Sequence, residues 1–318
     1  MGNMLLSIII PIYNAENFIN KILDSILIRN FKDYEIILIN DGSNDKSKDI
    51  CDEYSKKYGY ISCYHIENRG CFKARVYGIK KSKGKYIVFM DVDDFINEDY
   101  FENILLALKK KADFYFLNNK INKYNKYKFI EERYLENKFI NNKKDVYDYY
   151  FSSASGAVWN KIYLGDILRE NINDFNVNIS IGDDYYINLI YLKYVNNICI
   201  SNTSSYNHVV NTSVSISNKI RQENISDLDT LLEAIFNFRI VASYDTPILD
   251  KYIEQRFESF CGLVRRNLKK DRRDTVKFLK RTRLFTLDNL NKIKVTKIKN
   301  KIYKYLLKYR LWNILSKL

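Results

Sequence analysis

The first hundred residues alternate between short apolar runs and helical patterns, and that alternation restricts the chain to few architectures. Residues 7–12, 35–39, 61–66 and 86–90 read as strands, each followed by a polar turn. Helices are predicted between them at about 15–30, 45–58 and 71–82, where positions such as Phe18, Ile22 and Ile26 recur at helical spacing. Asn14 and Asn44-Asp45 supply cap-type residues at helix starts. Strand and helix in strict succession predict an α/β fold with a doubly wound, mostly parallel sheet. From 113 to 142 the chain is rich in Asn, Lys and Tyr, with a strand expected at 114–117 followed by an irregular or hairpin insertion. Helices are expected at 144–151 and 183–191, and from about residue 218 the pattern is helical to the end. The sequence therefore divides into an α/β domain, 1–217, and a helical region, 218–318.

Bulk composition narrows the function classes. With 318 residues, 46% hydrophobic and 28% charged, the chain is globular and long enough for a large α/β domain and an appendage. Its five cysteines are scattered and never at CxxC spacing, which points away from a disulfide framework or a zinc site and toward a reducing compartment. Only two histidines, His65 and His208, are present, so a metal would lean on carboxylates. The opening apolar run is cut by Pro11 and lacks a basic leader, and no segment approaches the ~18 apolar residues of a membrane span. The net charge of +14 is local: residues 251–318 hold 21 of the 52 Lys+Arg and 5 of the 38 Asp+Glu, while the first 250 are nearly neutral.

In open α/β sheets ligands bind outside the carboxyl ends of the strands. The four predicted strand ends there are Pro11-Ile12-Tyr13-Asn14-Ala15-Glu16, Asn40-Asp41-Gly42-Ser43, Glu67-Asn68-Arg69-Gly70 and Asp91-Val92-Asp93-Asp94, all polar or acidic. Strand alternation would put Asp91 and Asp93 on one side, facing one ligand, with Asp94 turned away in a structural role. Two carboxylates held together repel unless a positive group lies between them, and a hard divalent cation with phosphate co-ligands is one solution. A solvated acidic turn capping a helix near Asn97 is the other.

Taken in order, "SIIIPIYNAENFI", "INDGSNDKS", "NRGCFKARVYGI", "YIVFMDVDDF", "VWNKIY" and "IGDDYYI" resemble the family-2 glycosyltransferases, inverting enzymes of the GT-A fold, over roughly residues 5–215. The resemblance implies a nucleotide pocket lined by Pro11, Tyr13 and Glu16, with Asp41 accepting a hydrogen bond from the base and Asn68 and Arg75 closing over the same nucleotide. It implies that Asp91 and Asp93 are the DxD pair, near the ribose and on a Mn2+ or Mg2+ ion respectively, with His208 reaching the diphosphate or metal. Asp184 takes the position of the catalytic base. Two departures stand out: Asn40 replaces the family's frequent Asp before Asp41, and Asp183 is shorter than the usual Glu before Asp184. For His208 a satisfied structural histidine is the alternative, and for His65, within a strand, the structural reading is preferred. Trp159 and Lys161 either shape the sugar and acceptor pocket or serve as core and solvated residues.

The implied partners are a nucleotide-sugar donor, UDP-linked, and a glycan or lipid-linked acceptor, with a cytoplasmic location. In the tail, Ile298, Ile302, Leu306 and Tyr309 form one apolar stripe and Leu307, Leu311, Ile314 and Leu318 a neighbouring one, flanked by Lys and Arg and joined by Trp312. Such a face suits an anionic membrane surface on the inner side of the cytoplasmic membrane. It equally suits packing on the body of the chain or a homodimer; nucleic acid is not expected. Two other enzymes share parts of the pattern. A sugar nucleotidyltransferase needs a glycine-rich loop where Pro11-Ile12-Tyr13-Asn14 stands, and a haloacid-dehalogenase-type phosphatase carries its Asp-x-Asp on the first strand. A degenerate, scaffold-type transferase is disfavoured by the presence of Asp41, Asp91, Asp93 and Asp184 together.

Overall fold

The computed structural model describes residues 4–29, 31–117, 136–153, 156–203, 205–209, 223–281, 287–310 and 314. The chain forms two compact units: Met1–Val146, Gly156–Asn178 and Ile190–Ser215 make the first, and Tyr147–Ser155, Ile179–Leu189 and Ile216–Leu318 the second. Two segments from within 1–217 thus belong to the helical unit.

In the first unit β1 (Leu6–Ile12), β2 (Tyr34–Asp41), β3 (Ile61–Ile66) and β4 (Tyr86–Phe89) are mutually parallel in the order β3-β2-β1-β4. Every residue of β1 and β2 is buried, as a parallel sheet covered on both faces by crossover helices requires. The crossovers are helices Ile19–Leu27, Ser47–Lys57 and Cys71–Lys81. The first starts at Ile19 and not near residue 15 for a local reason. Asn14 takes a positive φ of 48°, and the backbone N–H groups of Asn14, Ala15 and Glu16 donate to Ser43, Ser47 and Asp45 side chains of the next loop. Those donors are therefore spent on lacing two loops together.

Beyond β4 the sheet turns mixed. The chain continues through β5 (Phe95–Ile96), β6 (Phe114–Leu117), β7 (Lys138–Ile140), β8 (Lys161–Leu164), β9 (Ile198–Ser201) and β10 (Tyr206–Asn207). The full order is β3-β2-β1-β4-β8-β6-β9-β7, with β8 antiparallel to β4 and β6, and β7 antiparallel to β9. β5 and β10 pair separately, antiparallel, with Tyr206 opposite Ile96. β6 was legible as a strand; β8, β9 and the β5–β10 pair were not. The insertion expected after residue 117 falls largely on 118–135, outside the described residues.

In the second unit helices Glu223–Val241 and Pro247–Lys270 pack on each other and bury Leu232, Ile235, Phe238, Ile253, Phe257 and Val264. Thr246 caps the second of these by accepting from the Leu249 N–H, and Pro247 occupies its first turn. Tyr147 and Phe151 join this core through Phe238, Tyr244 and Tyr252, at ring separations of 5.0 to 5.6 Å. The tail helix Ile298–Lys308 buries Tyr303, Leu306 and Leu307. Arg265 lies 5.2 Å over the Tyr303 ring and donates to Asn300 Oδ1 at 3.1 Å, fixing that face on helix Pro247–Lys270. Ile302, Tyr305, Tyr309 and Ile314 remain exposed. The tail is thus divided into a packed stripe and an exposed one; Leu311, Trp312 and Leu318 lie outside the described residues.

Candidate active site

Because β1 to β4 run parallel, the loops that follow them share one edge of the sheet. Pro11 is buried in β1, and Tyr13 stands 46% exposed just beyond it. Glu16 accepts from the Lys46 N–H at 2.9 Å, and the Asn14 side chain accepts from Asn44 at 2.8 Å. Asp41, at the end of β2, is buried, and its two oxygens accept the backbone N–H groups of Arg69 and Gly70, each at 2.8 Å. One carboxylate therefore clamps the loop that carries Asn68. Gly42 is required there: its φ is +67°, and a Cβ would stand 2.8 Å from the Asn68 nitrogen.

The acidic stretch after β4 is a turn and not a continuation of the strand. β4 ends at Phe89, and the Asp94 N–H donates to the Asp91 carbonyl at 3.1 Å. The alternation expected for Asp91 and Asp93 therefore does not apply to them. Asp91 pairs with the buried Arg75 guanidinium at 2.7 Å. Its N–H donates to the Tyr206 hydroxyl at 2.9 Å, and that hydroxyl donates to Asp94 Oδ2 at 2.7 Å. Asp94 is fully buried, accepts from the Val209 N–H at 2.7 Å, and holds His208 Nδ1 at 3.2 Å. Trp159 stacks on both Tyr206 and His208, at 5.1 and 4.8 Å. The residue set apart as turned away is thus the one that ties together Tyr206, His208 and the turn. Tyr206 was not anticipated, since only the β5–β10 pairing carries it to a residue 115 positions earlier.

The electrostatics follow from this crowding. Burial first, and then Asp94 and Asp91, push Asp93 up to about 6. Burial pulls His208 down, but Asp94, Asp91 and Asp93 outweigh it and raise it to about 9. Burial likewise raises Asp94, against the pull of His208. Three carboxylates face one guanidinium and one imidazole, so a further positive charge is favourable here. One donor atom each of Asp91, Asp94 and His208 lies within 4.8 Å of the others. Asp94 already accepts three hydrogen bonds, which leaves Asp91 and His208 as the members of that trio with capacity for a hard divalent cation.

The remaining expected residues fall elsewhere. Lys161 is fully buried, with its ammonium on Asn160 Oδ1 at 2.8 Å and on the Ala157 carbonyl, so it is not a solvated surface residue. Asp184 sits in the first turn of helix Asp183–Leu192, in the second unit. The approach to that turn is built: Asp227 accepts from the Ser180 and Ile181 N–H groups at 3.1 and 3.0 Å, and Gly182 takes a φ of +83° with a Cβ position 3.1 Å from Leu231.

An α/β sheet of this topology with an acidic turn at its carboxyl edge defines a GT-A-type fold. Residues 7–168, just over half of the chain, match the family described as Glycosyl transferase family 2, and the chain belongs to that family. Glycosyltransferase GlyA of Streptococcus pneumoniae serotype 4 is 30% identical over 194 residues, 58% of this chain and 27% of GlyA. The solved structure of S. aureus TarS 1-349 with UDP-GlcNAc matches at a TM-score of 0.72 and 17% identity, over 99% of this chain and 91% of that one. GalNAc-T7, solved with UDP, GalNAc and Mn2+, matches at 0.55 and 15%, over 79% and 48%. At such identities the two structures speak for the fold. The matched region spans between 11% and 36% of the curated relatives' own length.

Proposed function

We propose that the chain is a metal-dependent inverting glycosyltransferase that moves a hexosyl or N-acetylhexosaminyl group from a UDP-sugar to a hydroxyl of a glycan, lipid-linked or cell-envelope acceptor. The observation that carries this reading is the Arg75–Asp91–Tyr206–Asp94–His208 chain at the carboxyl edge of the sheet. TarS was solved with UDP-GlcNAc, and GalNAc-T7 with UDP, which supports a UDP-linked donor. Pro11, Tyr13, Glu16, Asp41 and Asn68 line the nucleotide side, on the loops laced together above. Asp91, Asp93 and His208 would hold Mn2+ or Mg2+, which supplies Lewis-acid stabilisation of charge on a departing diphosphate. Arg75 neutralises Asp91 and fixes its rotamer. Asp94 and Tyr206 position Asp91 and His208. Asp184 accepts the proton of the attacking hydroxyl, and direct displacement inverts the anomeric centre. Catalysis belongs to 1–217 in this reading, and 218–318 is an accessory region. A panel of nucleotide sugars, each assayed for hydrolysis with Mn2+, Mg2+ or EDTA, tests it. UDP-sugars are expected to turn over only with metal, and binding or turnover of no donor under any condition would favour a scaffold protein instead.

The exposed tail stripe supports a role for the accessory region at a membrane surface. No helix among the described residues is long and apolar enough to cross a membrane. Ile302, Tyr305 and Tyr309 lie at helical spacing beside the exposed Lys301 and Arg310, in a region that carries most of the basic excess. That pattern fits the headgroup layer of an anionic inner leaflet. The protein is expected to co-sediment with phosphatidylglycerol vesicles at low salt. Changing Ile302, Tyr305 and Tyr309 together to Ser should release it without loss of fold, since Tyr303, Leu306 and Leu307 keep the packing. Equal sedimentation of both proteins would refute the membrane role.

A further inference from the structure

On the edge strand of the sheet, β3 carries Cys63 and His65 two positions apart, hence on one face of the strand. Helix Ser47–Lys57 places Asp52 against the same face, with Asp52 Oδ1 3.0 Å from His65 Nε2. Cys63 Sγ lies 3.8 Å from that nitrogen, and one donor atom of each of the three residues falls within 4.8 Å of the others. The other ring nitrogen, Nδ1, is 3.0 Å from the Asn40 side-chain amide on the neighbouring strand, where Asn40 and His65 are register partners.

We propose that Cys63, His65 and Asp52 form a binding site for a thiophilic divalent ion of the Zn2+ type, separate from the acidic turn. The ligand classes fit that chemistry: a thiolate, an imidazole and a carboxylate are the donors such an ion selects, whereas Mg2+ avoids sulfur. The spacing fits as well. Tetrahedral bonds of ~2.0 Å to N and O and ~2.3 Å to S set ligand atoms ~3.3–3.7 Å apart, close to the 3.0 and 3.8 Å already present. All three side chains are reachable from solvent, being partly or largely exposed, so a fourth position is available to water. In this structure Asn40 Nδ2 faces His65 Nδ1, so a metal at Nε2 requires the Asn40 amide to turn its oxygen toward the Nδ1–H, the outer contact a metal-bound imidazole takes. Cys51 is fully buried beneath this face, in contact with Cys63. Binding releases the Cys63 thiol proton to solvent and leaves every oxidation state unchanged. No CxxC or His-pair spacing marks this site, because its ligands come from alternate positions of one strand and a helix residue eleven positions upstream, brought together only by packing.

Cobalt(II) titration of the full chain in excess Mg2+, which occupies oxygen-rich sites without competing for thiolate, tests the proposal. One equivalent is expected to produce a sulfur-to-cobalt charge-transfer band in the near ultraviolet, displaced by Zn2+. The band should vanish in Cys63→Ser and in His65→Ala, and should persist in Asp91→Asn. Should Cys63→Ser fail to fold by circular dichroism, the exposed His65→Ala variant carries the test. Absence of the band in the wild-type chain, or its survival in folded Cys63→Ser, overturns the site.

Discussion

Replacing Asp91 by alanine is expected to abolish measurable sugar transfer and to lower the melting temperature of the protein by roughly 5–10 °C. The two effects have different sources. Arg75 is 4% exposed and Asp91 26%, so the pair is largely shielded from water, and deleting the carboxylate leaves a buried guanidinium short of its counter-charge. The loss of transfer arises because Asp91 also stands where the donor diphosphate and its cation are proposed to sit. Asp91→Asn separates the contributions. The amide keeps the shape and one hydrogen-bond acceptor for Arg75 but not the counter-charge, so only part of the thermal stability should return, while transfer should remain ~100- to 1,000-fold below wild type. Calorimetry and steady-state assays on the two variants decide the matter. Wild-type kcat/KM in Asp91→Asn would remove Asp91 from the reaction and leave it a purely structural ion pair.

How much of this was legible beforehand depended on where each contact originates in the chain. β1 and β2 were readable because a parallel strand buried on both faces must be apolar along its whole length, and their neighbours β3 and β4 share the same rhythm. β8 and β9 have four residues each and β5 and β10 two, and such strands exist only through partners: β8 is held by β4 and β6, and β10 by β5. No local pattern encodes them. The same holds at the site. Asp41, Asp91 and Asp93 were visible as polar strand ends and Asp94 does take a structural role, but strand alternation was extended four residues past Phe89, where β4 stops, so it does not describe how these carboxylates face. Tyr206 and the buried state of Lys161 were invisible for a related reason, since both are set by packing across long separations. In the tail, amphipathicity marked a broad apolar face, but only the presence of Arg265 and Asn300 shows which part of it is covered.

Asp184→Asn should lower kcat for transfer by ~100- to 10,000-fold while leaving the KM for the donor close to wild type. The residues proposed to bind the donor belong to the first unit, whereas Asp184 belongs to the second, in a helix turn whose shape is held by Gly182 and by Asp227. An isosteric amide at Asp184 disturbs neither, so donor affinity measured by titration with UDP should be unchanged. What the amide cannot do is accept the acceptor's proton. A hydroxyl is a weak nucleophile until that proton moves, and the cost appears in kcat because the transfer is concerted with attack. The stereochemistry provides an independent check on the same residue. With one carboxylate acting as base and no enzyme nucleophile, the product must carry the opposite anomeric configuration to the donor, which NMR of the product reads directly. A retained configuration would require a covalent intermediate and a different role for Asp184; full transfer activity in Asp184→Asn would show that another group takes the proton.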